Sequence, residues 1–243
     1  MPYRRLPNTD KARLKALNMA LSKGKELPPF KLAFTQKSYQ RLQCFLNNYE
    51  NAISFYRQTY SVQTKRNTAY VESLKKARMY ISHFIQVLNM AIQRGEIQSG
   101  VRSYYGLDEK EFRIPPLNTG GDIIEWGEKL INGEARRMRE GSSPVTNPTI
   151  ALVRVRYETF LETHHHQKTL QNNTARALKK LAVLRSEADE IILEIWNEVE
   201  DSFKDLPDDL RREKAKEYGL VYVYRKNEIG SINFFNTKQT GAG

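Results

Sequence analysis

Leu178, Leu181, Arg185, Ala188, Ile192, Ile195 and Val199 recur at steps of three and four, the spacing that lines up one face of a long helix. Val71, Leu74, Arg78, Ile81, Ile85, Leu88 and Ile92 repeat those steps about 107 positions earlier, and both stretches open with Asn-Thr-Ala, at Asn67 and Asn173. Each stretch has a companion before it. Leu42, Leu46, Tyr49, Ile53, Tyr56 and Tyr60 precede the first, and Ile150, Val153, Tyr157, Phe160 and His164 precede the second. Polar breaks at Gln63 to Asn67 and at Leu170 to Asn173 then read as turns between neighbours. A short connection favours an antiparallel pair, and heptad-like steps favour shallow crossing angles. The expected fold is mainly α, an antiparallel four-helix bundle built from two similar helical hairpins that bury their apolar stripes against one another.

The rest of the chain is divided around those hairpins. Residues 1–29 read as a basic amino-terminal arm with a short helix, in which Asn8, Thr9 or Asp10 caps a run holding Leu14, Leu17 and Leu21 and Gly24 ends it. Residues 30–94 and 149–205 are the two hairpins. Between them, residues 95–148 are rich in Gly, Pro and Asn and read as a long packed crossover, with Asp122 capping a short helix that carries Ile123, Ile124, Trp126, Leu130 and Ile131. Residues 206–235 hold a short charged helix and a β-hairpin. Its strands are Gly219 to Arg225, rich in β-branched and aromatic residues, and Ile232 to Phe235. Residues 236–243 read as a flexible tail.

The net charge of +11 is placed unevenly. Residues 1–95 carry 17 Lys/Arg against 4 Asp/Glu, a balance of +13, and residues 96–243 carry 22 against 24, a balance of −2. Such asymmetry fits a polyanionic partner or an acidic protein face. No window approaches the roughly 18 uninterrupted apolar residues of a membrane span, and the basic start runs into Asp10, Lys11, Arg13 and Lys15 where a secretory signal needs an apolar run. Cytoplasm is the expected location, without membrane association. The single cysteine, Cys44, excludes an internal disulfide framework; beside Phe45 in a helical pattern, it is expected to be buried and inert.

Three groups of residues invite a functional reading. His164, His165 and His166 are consecutive, so on a helix they point about 100° apart and do not converge on one ion. Glu162 with His165 makes a Glu-x-x-His pair, half of what a di-iron carboxylate bundle uses, and His83 lacks the matching acid. Glu187, Glu190, Glu194, Glu198 and Asp201 form an acidic stripe at spacings where like charges repel. It is expected to be solvated, or to dock with a basic surface, either the protein's own amino-terminal half or a neighbouring copy. Arg4, Arg5, Lys11, Arg13 and Lys15 decorate the basic arm, and Arg41, Phe55, Tyr56, Arg57, Tyr60, Lys65, Arg66, Lys75, Lys76 and Arg78 mix cations with aromatics on the first hairpin. Cations meet phosphates and exposed rings stack on bases, although core packing accounts for Tyr56 and Tyr60 more simply. Arg136, Arg137 and Arg139 form a weaker cluster that reads as surface. Phosphate loops, dinucleotide fingerprints, zinc-protease motifs and nucleophile elbows do not occur.

The runs Tyr80-Ile-Ser-His-Phe-Ile-Gln-Val-Leu-Asn89, Tyr104-Tyr-Gly-Leu107, Ile191-Ile-Leu-Glu-Ile-Trp-Asn-Glu-Val-Glu200 and Tyr218-Gly-Leu-Val-Tyr-Val-Tyr224 resemble those of an uncharacterised family of bacterial helical-bundle proteins. The resemblance covers most of the chain, implies a helical bundle and supplies no activity, ligand or site. The expected function is therefore a non-enzymatic assembly or protein-interaction module. No cofactor is expected, and the partner is another protein or a second copy. A nucleic-acid-binding protein using the basic half and a bundle metalloprotein are the alternatives.

Overall fold

Gln36 to Gln93 form one unbroken helix, and so do Ile150 to Ser202. The structure, a computed structural model, describes residues 2–224. In chain order it comprises strand β1 (Tyr3–Arg4), helix α1 (Asp10–Glu26), a 3₁₀ turn (Pro29–Lys31), α2 (Gln36–Gln93), a second 3₁₀ segment (Ser99–Tyr105), α3 (Gly120–Arg139), α4 (Ile150–Ser202), α5 (Asp208–Lys216) and β2 (Tyr222–Val223). The protein is mainly helical, as expected. It does not turn at Gln63 to Asn67 or at Leu170 to Asn173. Neither segment contains Gly or Pro, and polar residues alone do not stop a helix. Thr64 and Thr174 keep the helical path and donate their hydroxyls to the carbonyls of Tyr60 and Leu170, four residues back.

The described residues form two compact units: those up to Gln58 together with those from Arg176, and Thr59–Ala175. The first unit packs α1, the amino-terminal half of α2 and the carboxy-terminal half of α4. Leu17, Leu42, Phe45, Tyr49, Ile53, Leu181, Ile192, Ile195, Trp196 and Val199 make its core, closed by Ala215, Tyr218 and Leu220. The second unit packs the later half of α2 against α3 and the start of α4, around Ile81, Phe84, Ile85, Leu88, Tyr105, Ile123, Leu130, Val153 and Phe160. Ile81, Ile85 and Leu88, expected to share a core with Ile192, Ile195 and Val199, are thus buried in a separate one. In place of two hairpins, part of α2 and part of α4 serve each core.

Helix α3 is longer than the short element expected. Thr119, not Asp122, is its N-cap: the Thr119 hydroxyl accepts from Asp122 N at 3.1 Å, while the Asp122 carboxylate accepts from the N–H of Thr119 at 2.8 Å, a reciprocal capping box. Gly127 and Gly133 lie inside the helix because other groups occupy the space of a side chain there. A Cβ on Gly127 would sit 2.3 Å from the Tyr157 ring, and one on Gly133 2.5 Å from the Tyr104 carbonyl oxygen. Arg137 is not on the surface. Glu134 and Arg137 are both buried, and two Arg137 nitrogens donate to the Glu134 carboxylate at 2.9 Å. Tyr105 Oη and Val145 N donate to the same carboxylate, and Arg137 also donates to the Ser143 carbonyl. Every group in this buried pair is satisfied, which a low-dielectric interior requires.

At the other end of the chain, Tyr222–Val223 pairs antiparallel with Tyr3–Arg4, Tyr3 opposite Val223 and Arg4 opposite Tyr222. The partner of this strand is the amino-terminal segment. The second strand of the expected hairpin, Ile232 to Phe235, and the expected tail at 236–243 lie outside the described residues. Cys44 is exposed, against expectation, because its neighbour Phe45 takes the inward position and one residue along a helix turns about 100°. Tyr60 is 55% exposed and Tyr56 half-buried, so the stripe they extend leaves the core after Ile53.

Candidate functional site

The acidic stripe on α4 meets the start of α2 within the first unit. Thr35 N-caps α2, its hydroxyl accepting from Ser38 N, and Glu198 reaches across to accept from Thr35 N at 2.7 Å and from the Ser38 hydroxyl at 2.8 Å. A carboxylate there also meets the positive end of the helix dipole. Arg41, one turn on, donates to Glu194 at 2.7 Å and to Glu190 at 3.3 Å. Glu187 is half-buried farther along. Three of the four interaction-candidate glutamates are therefore engaged by the chain's own α2.

The basic arm divides in the same way. Arg13 makes two hydrogen bonds to Asp189, at 2.7 and 2.8 Å, and Arg4 pairs with Glu200 at 2.8 Å. The Tyr222 hydroxyl donates to the other Glu200 oxygen, and burial followed by that carboxylate pushes the Tyr222 pKa up. Asp10 and Arg185 add a reciprocal ion pair between α1 and α4. Arg185 was legible only as one step of an apolar stripe; its extended side chain turns out of the core to reach α1. Arg5, Lys11 and Lys15 are exposed, and among the described residues none has an ion-pair partner.

Arg5 and Lys15 converge with Lys216, from the end of α5, on the rim of a cavity of about 400 Å³ in the first unit. Its apolar lining includes Leu6, Met19, Trp196 and Leu220. One wall depends on Gly219, whose φ of 92° is the left-handed conformation that glycine adopts without strain. A Cβ there would lie 3.0 Å from the backbone of Ala16. Neither Trp196 nor Lys216 was singled out by sequence reasoning, because the cavity is assembled from segments about 200 positions apart. Among the described residues no carboxylate lines it and none pairs with these three cations, so an apolar floor is ringed by positive charge. At about 400 Å³ it falls within the usual range of ligand-sized clefts.

The other candidate residues do not assemble. Glu162 and His165 are exposed on α4, and His164 is half-buried against the rings of Phe160 and Tyr70. Among the described residues, no group of three or more His, Cys, Asp or Glu is placed to hold a metal ion. No described helix is long and apolar enough to cross a membrane. The chain matches no protein-family model, no curated protein and no solved structure.

Proposed function

We propose that this chain is a protein-binding module, in which the first-unit cavity receives an apolar side chain of an acidic partner segment while flanking carboxylates of that segment meet Arg5, Lys15 and Lys216. The observation that carries the reading is the cavity's lining, hydrocarbon and Trp196 with three cations and, among the described residues, no carboxylate. Hydrocarbon contact supplies affinity, roughly 25 cal/mol per Å² of apolar surface removed from water, and the rim charges supply orientation and a faster encounter. Fixed positive charge over an apolar floor is the chemistry of holding a ligand. Glu190, Glu194 and Glu198, the stripe a second copy would offer, are occupied by Arg41, Thr35 and Ser38, which favours a foreign partner over self-assembly.

The test is fluorescence anisotropy with two labelled peptides of equal length, one alternating Asp with Leu and Phe, the other with Lys in place of Asp. Saturable binding of the acidic peptide is expected, weakening as salt rises and lost in Lys15→Glu combined with Lys216→Glu. Equal binding of both peptides, or none of the acidic one, overturns the reading.

A second reading, nucleic-acid binding, draws on the second unit, where Lys65, Arg66, Lys75 and Lys76 are exposed on α2 and have no ion-pair partner among the described residues. It requires retention on DNA or RNA at about 50 mM salt and steep loss above that.

A further inference from the structure

The ring of His164 sits where three helices of the second unit meet. It is half-buried on α4, tilted against Phe160 at 5.5 Å and against Tyr70 of α2 at 5.9 Å between centroids. The first residue of α3 closes a further side. A Cβ on Gly120 would stand 3.3 Å from His164 Cε1 and 3.4 Å from His164 Nδ1, so the imidazole lies directly against the Gly120 backbone. A charge placed on that ring is therefore felt at the α3 contact.

Each of the three helices presents neutral or positive groups there. α4 itself supplies Lys168, one turn on, and His165, whose ring centroid is 6.1 Å from that of His164. α2 supplies the Tyr70 phenol and no charge. α3 supplies its opening N–H groups, the positive end of the helix dipole. The acid at that end, Asp122, is committed to the N–H groups of Asn118 and Thr119, and Arg78 of α2 donates to the Asn118 carbonyl. Among the described residues no carboxylate lines the space of about 220 Å³ in which His164, Lys168 and Gly120 meet. The usual support for an imidazolium, an adjacent carboxylate, is missing. Burial first, then Lys168 and His165, accordingly lowers the His164 pKa.

We infer that His164 is an acid-sensitive latch on the start of α3: neutral, it packs Gly120 against α2 and α4, and protonated, it drives the first turn of α3 away from them. The direction follows from linkage. A ring that takes its proton less readily when packed than when released stabilises the packed state fully above the ordinary imidazole value of about 6.5, and that stability is lost as pH falls through the packed-state value. Only the opening turn is released. Deeper in α3, Ile123 and Leu130 are fully buried and Tyr157 donates to the Ile124 carbonyl at 3.1 Å, contacts that do not depend on the charge of His164. The latch lies wholly within the second unit and is independent of the Trp196 cavity.

The test is amide hydrogen exchange of the full chain by NMR at pH 7.5, 6.5 and 5.5, corrected for the intrinsic effect of pH, with the His164 ring titrated in the same samples. Asp122 N and Ile123 N, which bond back to Thr119, are the reporters, and the amides of Glu134 to Arg137 are the internal reference. His164 is expected to titrate below 6.5. The reporters are expected to lose protection severalfold towards pH 5.5 relative to the reference, by no more than tenfold for each unit of that displacement. His164→Phe keeps a ring and removes the proton, and is expected to make their protection independent of pH; His164→Leu, smaller, repeats the test without overpacking. His165→Gln is expected to leave the response in place. The inference is overturned by a His164 that titrates at or above 6.5, by reporters indifferent to pH in the unaltered chain, by a response that persists in His164→Phe and His164→Leu, or by one that His165→Gln abolishes.

Discussion

Asp10 and Arg185, 175 positions apart, face each other through two hydrogen bonds of 2.8 and 2.7 Å, and the Tyr49 hydroxyl donates to the same carboxylate at 3.0 Å. The first helical residue of α1 is thereby fixed to the middle of α4's later half, and the neighbouring Arg13–Asp189 pair repeats the tie with the charges exchanged.

That carboxylate gives the first unit an acid limit. The Arg185 hydrogen bond first, then Tyr49 and the nearby guanidinium charges, lower the Asp10 pKa against the opposing effect of burial. A depressed carboxyl pKa adds stability that is present above the unfolded value, about 4, and disappears as pH falls through the folded one. Asp10→Asn is expected to cost about 1–2 kcal/mol at pH 7, discounted for partial exposure, and progressively less as pH falls from about 4 towards 2. Urea melts at the two pH values check this; an equal cost at both would refute the pairing.

Gly133 sets the depth at which α3 packs. In an ordinary helix interior Gly→Ala stabilises by about 1 kcal/mol. Here the new methyl would press on the Tyr104 carbonyl oxygen, 2.5 Å away, and on the Tyr105 ring. Gly133→Ala is expected to lower stability by about 1–3 kcal/mol in chemical denaturation, the usual cost of overpacking.

Glu134 and Arg137 are expected to behave as one unit. Glu134→Ala strands a buried guanidinium and should cost about 3–5 kcal/mol, whereas replacing both residues by apolar ones of similar volume should recover much of that loss. A thermal melt of the single and double variants decides it: two equal, additive losses would show that the pair is not coupled.

Trypsin distinguishes a turn from a helix at Lys65-Arg66. A hairpin loop there would be cut early. The unbroken α2 holds that backbone in helical hydrogen bonds, so cleavage at these exposed side chains should be no faster than at Lys75-Lys76, as read by mass spectrometry of early fragments.

The apolar stripes were legible in the sequence because period alone marks a helix's buried face, and Leu181, Ile192, Ile195 and Val199 are buried together. Where those helices end was not. Gln63 to Asn67 lack apolar residues because that stretch is largely exposed, and an exposed helical segment looks like a loop to any reading based on hydrophobicity. Gly133 misled in the same direction, since a glycine that admits a neighbouring carbonyl has the same letter as one that ends a helix. The cavity rim was half visible. Arg5 and Lys15 stood out as charges, but Lys216 and Trp196 join them only through the packing of α5 and α4 against α1.

Cys44 is the chain's single thiol, and it faces water beside Phe45 on α2. A maleimide dye or a nitroxide would therefore attach once per molecule without any engineering, on the unit that carries the Trp196 cavity. Energy transfer or paramagnetic broadening from that position offers a direct gauge of what enters the cavity and how far from α2 it comes to rest.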